Sequence, residues 1–273
     1  MPKRLGILAG GGQLPGRMIE ACRAADREFF VLAFEGQTDP AMVEDAPHAW
    51  VRLGAVGEAF GHLRAAGVEE IVLAGPVKRP SLADLRPDLR GAAFLAKVGA
   101  KAFGDDGLLS AIVREIEGEG FRVVGADEVL SALLTPEGAC GQLEPDTLAW
   151  SDIRRGIAVA RALGRVDVGQ AAVVQQGLVL GVEALEGTDA LLQRCAALRR
   201  DGPGGVLIKV AKPAQERRVD LPTIGVETIS RAAAAGLRGI ALEARGSLIL
   251  DREAVAKAAD AAGLFVIGVK VEE

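Results

Sequence analysis

Short apolar runs alternate with amphipathic stretches through the first half of the chain. Residues 5–9 (LGILA) form one such run, and three glycines then lead into a helical pattern over 13–25. Runs at 29–34 and 70–74, with a weaker one at 49–53, predict further strands. Helical spacing marks 58–66, 89–103 and 106–119, and 121–124 returns to a strand. Alternation of this kind predicts a parallel sheet covered by helices on both faces. The second half predicts strands at 171–175, 177–182, 206–210, 239–243, 247–250 and 264–269. Its helices are expected from Ser151 to just before Gly164, at 188–200, and at 228–235 and 252–262, the last two ended by Gly236 and Gly263.

At 273 residues the chain is long for a single core, which favours two domains. The pattern predicts an N-terminal Rossmann-like α/β domain over 1–133 and a second α/β or α+β domain, the expected catalytic one, over 151–273. Residues 134–150 hold two prolines and two glycines without a clear period, and are expected to be the linker or a long lid-like loop.

Composition narrows the chemistry. The net charge of −5 and pI near 5.3 argue against sequence-independent nucleic-acid binding. No apolar run approaches the ~20 residues of a membrane span. The apolar part of the N-terminus is too short for a signal peptide, so a cytosolic protein is expected. Cys22, Cys140 and Cys195 are scattered and odd in number, and His48 and His62 are the only histidines. Zinc sites, many-histidine dimetal sites and a Ser-His-Asp triad are therefore disfavoured. Any metal should be a hard cation on oxygen ligands, with Mg²⁺ first.

Residues 182–225 concentrate the candidate chemistry. Glu183, Glu186, Asp189, Glu216 and Asp220 stand among Lys209, Lys212, Arg217 and Arg218, with prolines and glycines interrupting two apolar runs. Acids that hold a divalent cation beside bases that neutralise phosphate oxygens suggest phosphate chemistry, and a surface salt-bridge network fits the spacing equally well. Asp220, directly before LPTIG, is the best single candidate for a metal ligand or water-orienting base. Gly10, Gly11 and Gly12 lie between a strand and a helix, where backbone N–H groups attract phosphate. Read as a dinucleotide fingerprint they lack the third glycine, although Glu35 falls where an acid holds a ribose. Lys78 and Arg79 sit in a proline-bounded loop after a strand. Asp105 and Asp106 suit a helix cap or a ligand, and Asp167 suits a turn ahead of Gln170.

These stretches carry a resemblance. IxAGGGxLP, GxVxRP, GDDxLL, DxGQAxVV, VEAxEGTDAxL, KxxKPxQExRxDLPTIG and the closing GLFxxG resemble the UDP-2,3-diacylglucosamine pyrophosphatases of the LpxI type, from Leu5 to about Gly268. The resemblance implies a two-domain, Mg²⁺-dependent hydrolase of lipid A synthesis with its ligand between the domains. It would release UMP and 2,3-diacylglucosamine 1-phosphate, directing water at the phosphorus nearer the sugar. Asp220 matches the family's essential acid and is the implied catalytic and metal-binding residue. Glu216, also expected at the catalytic centre, stands where some relatives have Asp, which changes the reach of the carboxylate and not its charge. Gly11, Gly12, Lys78, Asp105, Gln170, Thr188, Lys209 and Lys212 match motif positions and are the expected substrate-binding residues. A diacylated substrate further implies a large apolar cavity between the domains and peripheral contact with the inner face of the cytoplasmic membrane. A homodimer is also expected. An NAD-dependent oxidoreductase and a non-catalytic lipid carrier or nucleotide-binding module are the alternatives.

Overall fold

The computed structural model describes residues 2–78, 85–99, 105–213, 216–219 and 221–271, with only the backbone at Asp105 and Asp106. The chain divides into two compact units. The first holds the chain up to Ser131 and takes in Arg218 and Val219. The second runs from Ala132 to Arg217 and from Leu221 onward.

In the first unit β1 (Leu5–Ala9), β2 (Phe29–Phe34), β3 (His48–Val51), β4 (Glu70–Ala74) and β5 (Arg122–Val123) form one parallel sheet, ordered β3-β2-β1-β4-β5. Between them in sequence come α1 (Leu14–Ala24), α2 (Pro40–Val43), α3 (Val56–Ala65), α4 (Leu89–Val98) and α5 (Asp105–Gly118), with α6 (Ala126–Val129) after β5. Strands covered on both faces read as near-continuous apolar runs, which is why β1, β2 and β4 stand out in the sequence. Pro15 sits in the first turn of α1, where a missing N–H costs nothing. Leu32, Leu63, Ile71, Val113 and Ile116 fill the core beside the stacked rings of Phe60 and Phe121. The strand order reverses between β1 and β4, and open α/β sheets bind ligands outside the strand carboxyl ends at such a point.

The second unit contains β6 (Gly138–Ala139), β7 (Ala171–Gln175), β8 (Leu178–Val182), β9 (Val206–Lys209), β10 (Thr223–Ile224), β11 (Gly239–Glu243), β12 (Leu248–Ile249) and β13 (Phe265–Val269). Its helices are α7 (Thr147–Gly164), α8 (Gly187–Ala196), α9 (Val226–Ala234) and α10 (Arg252–Ala262). Six strands make a mixed sheet, ordered β6-β13-β11-β9-β7-β8, in which β13, β11 and β9 run parallel and β6, β7 and β8 pair antiparallel. β10 and β12 form a separate parallel pair. Successive residues of a strand face opposite ways. Val173, Leu207 and Leu242 accordingly pack with Leu191, Ile229 and Val255 of α8, α9 and α10, whereas Val174, Val206 and Ile208 pack with Ala149, Ile153 and Ala160 of α7.

One expectation needs correcting. Residues 134–150 are not a free connection but part of the second unit. Thr135 is fully buried, its hydroxyl lies 2.7 Å from that of Ser247, and its N–H donates to the Ser247 carbonyl at 2.9 Å. β6 pairs with β13, and α7 begins within the supposed linker, capped by Asp146 through the Ala149 N–H at 2.8 Å. The partners of this stretch come from more than a hundred residues later, so no local period announces it.

Candidate functional site

Each unit offers one feature with functional character. In the first, α3, α4 and α5 leave a cavity of about 590 Å³ against the sheet, lined chiefly by Leu8, Phe34, Phe60, Leu73, Phe94 and Ile112. Val219 also lines it, and Arg52 is the one charged residue among the described lining. Two of these helices, α3 and α4, are tied together by Asp88. That carboxylate caps α4 through the Gly91 N–H at 2.7 Å and accepts the Gly57 N–H of α3, also at 2.7 Å. Burial pushes the Asp88 carboxyl up, but the N–H groups of Gly91, Gly57, Glu58 and Arg90 outweigh it and hold the group below the usual aspartate range. Cavity and helices belong to the first unit.

The loops beside β1 and β4 were expected to offer amides to phosphate. Two of those amides are already engaged: Gly10 donates to the Ala74 carbonyl and Gly11 to the Pro76 carbonyl, both at 2.8 Å. A Cβ at Gly10 would stand 2.6 Å from the carbonyl oxygens of Gly75 and Pro76, and Gly75 itself takes φ +85°. Glycine is required here because two loops interlock, a reason that needs no anion. Gly12, at φ +74°, precedes α1. Lys78 has an exposed side chain, while its backbone is clamped by Gln37, which accepts its N–H at 2.9 Å and donates to its carbonyl at 3.3 Å. Asp105 is the first residue of α5, and its side chain lies outside the described residues, as do Arg79 and Asp220.

The second unit gathers Gln170, Thr188, Lys209 and Lys212 at one end of its sheet. Lys209 closes β9 and is only 8% exposed, yet among the described residues its ammonium donates to the Thr223 carbonyl alone, at 3.2 Å. A buried cation so thinly paired is costly unless an anion meets it. Lys212, also buried, pairs with Asp167 at 2.6 Å. Glu183, just past β8, accepts the Thr188 hydroxyl at 2.6 Å and the Gln170 N–H at 3.3 Å. Glu243, at the end of β11, accepts the Ala211 N–H at 2.9 Å and pairs with Arg217 at 3.1 Å. Glu216 is half-buried. Glu183 had been noted only as one acid of a cluster, and Glu243 not at all. Their signal was their position, an acid at the end of an apolar strand, and for Glu243 the neighbouring strand β9 also ends in lysine.

Residues 4–133 match the LpxI N-terminal domain, and residues 136–267 match the LpxI C-terminal domain. The chain belongs to the LpxI family. A curated relative from Caulobacter vibrioides, the UDP-2,3-diacylglucosamine pyrophosphatase LpxI, is 47% identical over 278 aligned residues, covering 99% of each chain. Among solved structures, a CobK precorrin-6A reductase aligns over 100% of this chain and 89% of its own at 14% identity and a TM-score of 0.32, too distant to bear on function.

The resemblance read from the sequence implies a magnesium ion. Among the described residues no three acidic, imidazole or thiol side chains come together as a cation cage. Glu183, Glu243 and Asp167 are committed to protein donors. The described carboxylates therefore do not make a magnesium site by themselves, and no step below is routed through one. Nucleophilic cysteine chemistry is also disfavoured, since burial pushes the thiols of Cys22, Cys140 and Cys195 up, only partly opposed by Arg27, Arg252 and Arg194.

Proposed function

We propose that this protein hydrolyses the pyrophosphate bond of UDP-2,3-diacylglucosamine, giving UMP and 2,3-diacylglucosamine 1-phosphate in lipid A biosynthesis. The observation that carries this reading is the 47% identity over 99% of both chains to an enzyme bearing that name. Two features of the molecule support it. The first unit holds a large apolar cavity, the kind of space that acyl chains fill. The second unit holds buried Lys209 and Lys212, suited to meeting phosphate oxygens in a site of low dielectric.

Hydrolysis needs one water. Its oxygen bonds to one phosphorus, the bridging P–O bond breaks, and the departing phosphate keeps the bridging oxygen. On this reading Lys209 neutralises the charge that builds on the phosphoryl oxygens, and Asp220 orients the water and takes its proton. Mg²⁺, held by Asp220 with Glu216 and the substrate's own oxygens, would add further charge neutralisation there. Attack falls on the phosphorus nearer the sugar. Reaction in ¹⁸O-water tests this directly: the label should enter the lipid product, and label in UMP would place the attack on the other phosphorus. Because the substrate is a lipid, the protein meets the bilayer only peripherally, which agrees with no described helix being long and apolar enough to cross one.

The deciding experiment is release of UMP from UDP-2,3-diacylglucosamine by the purified protein and by the variant Asp220→Ala. The variant should retain the lipid while turnover is lost. Turnover near the native rate in that variant would remove Asp220 from the mechanism, and no UMP from the unmodified protein would end the proposal.

A further inference from the structure

Glu183 ties together two stretches that are distant in sequence roles but adjacent in space, the turn before β7 and the start of α8. Its Oε1 takes the Thr188 hydroxyl hydrogen at 2.6 Å, and its Oε2 takes the Gln170 N–H at 3.3 Å. Glu183 is only 6% exposed, so solvent competes little for these bonds. Gly169 is held against it, since a Cβ there would come within 2.7 Å of the Glu183 carbonyl carbon. The Glu183 N–H bonds to the Ala171 carbonyl, and Ala171 faces Lys209 across the β7–β9 pair. The backbones of Glu183 and Lys209 therefore flank one small residue.

The direction of the Thr188 bond matters. A hydroxyl has a single hydrogen, and here it points at Glu183. What half-buried Thr188 offers a ligand is thus oxygen lone pairs. Gln170, fastened to the same carboxylate, carries a buried side-chain oxygen with no hydrogen-bond partner among the described residues. That too is an acceptor. Phosphate oxygens at neutral pH are acceptors and gain nothing from either of these two oxygens.

We infer that Glu183 is a positioning residue that makes Thr188 and Gln170 readers of hydrogen-bond donors, so that they recognise a hydroxyl or amide N–H of the substrate's sugar while Lys209 takes the phosphate. The inference rests on the proposed reaction and adds which part of the substrate each group holds. It also makes Glu183 determine specificity: a ligand without the donor leaves a desolvated acceptor unmatched, which sites of this kind penalise heavily.

The test is a double-mutant cycle with Glu183→Gln and Thr188→Val, reading KM and kcat separately on UDP-2,3-diacylglucosamine. A glutamine at 183 presents an amide hydrogen to the Thr188 oxygen and turns that hydroxyl outward as a donor. Each single variant should raise KM about tenfold with kcat little changed, and the double variant should be no worse than either. Thr188→Ser should restore native KM, because it keeps the hydroxyl. If Thr188 instead donates to phosphate, Glu183→Gln frees its hydrogen, removes a negative charge near the anion, and leaves KM unchanged or lower. That outcome, or strictly multiplicative effects, overturns the inference while leaving the reaction intact. Absence of UMP release by the unmodified protein would refute the reaction itself. Thermal unfolding followed by Trp150 fluorescence checks that each variant is folded; if Glu183→Gln is not, inhibition by inorganic phosphate decides the question, since Thr188→Val should leave it unchanged and a weakened inhibition overturns the inference.

Discussion

Asp88 is the most exacting place to test how the cavity is built. Replacing it with alanine removes the cap of α4 and the tie to α3 in one step. Loss of a helix cap costs about 1 kcal/mol. Loss of a hydrogen bond from a backbone N–H to a charged group costs about 1.5–3 kcal/mol. Together Asp88→Ala should destabilise the first unit by roughly 2–4 kcal/mol, moving a urea midpoint by about 1–2 M for a slope near 2 kcal/mol/M. Asp88→Asn separates the two contributions, because its amide oxygen still caps Gly91 while its NH₂ would confront the Gly57 N–H. It should fall between wild type and alanine. The protein has two tryptophans, Trp50 in β3 and Trp150 in α7, so Trp50 fluorescence in a Trp150→Phe background reports the first unit alone. The carboxyl is held below its ordinary value in the folded chain. A depressed acid contributes stability above its unfolded pKa and loses it as the pH falls through the folded one. The gap between wild type and Asp88→Asn should therefore be full at neutral pH and close as the pH drops through and below 3.8, the ordinary aspartate value. Equal midpoints for wild type and alanine, or a gap that widens in acid, would refute this account of Asp88.

Three further outcomes are expected. Shortening a substrate acyl chain should raise KM roughly fourfold per methylene removed, from about 0.8 kcal/mol of lost burial each; chain-length indifference would take the cavity out of substrate binding. Gly156→Ala puts a Cβ about 2.5 Å from Ile208 Cγ1 in the contact of α7 with β9 and should cost about 1–3 kcal/mol, read by Trp150 fluorescence in a Trp50→Phe background. An unchanged midpoint would mean that α7 yields more easily than its packing implies. Lys212→Met leaves Asp167 without its 2.6 Å partner and should destabilise the second unit by about 1.5–3 kcal/mol, measured the same way. A smaller loss would show that water takes over the pair.

The regular framework was legible because strand burial writes itself into the sequence. β1, β2, β4, β11 and β13 are apolar runs closed by glycine or charge, β7 is one closed by glutamine, and the glycine stops after α9 and α10 fall where they were expected. Strand order was not legible, since nothing local distinguishes β7 running against β9 from β7 running with it. β6 and β10, two residues each, are strands only by virtue of distant partners, which is why 134–150 passed for a linker. Motifs single out Gln170, Thr188, Lys209 and Lys212 as candidates, but their spatial relations are not legible in the sequence. Glu183 joins two of them by bonds whose directions no spacing encodes. Gly10 and Gly11 are ambiguous for a different reason: glycine that lets two loops interlock looks the same in sequence as glycine that admits an anion.

An apolar hollow that suits fatty tails also suits the alkyl tail of a surfactant. Micelles used to disperse the lipid substrate deliver a competitor to the first unit at millimolar strength. Apparent rates should then fall as surfactant tail length increases at fixed micellar substrate fraction, and bile-salt analogues, whose rigid fused rings cannot fold into a hollow as an alkyl chain does, should inhibit least.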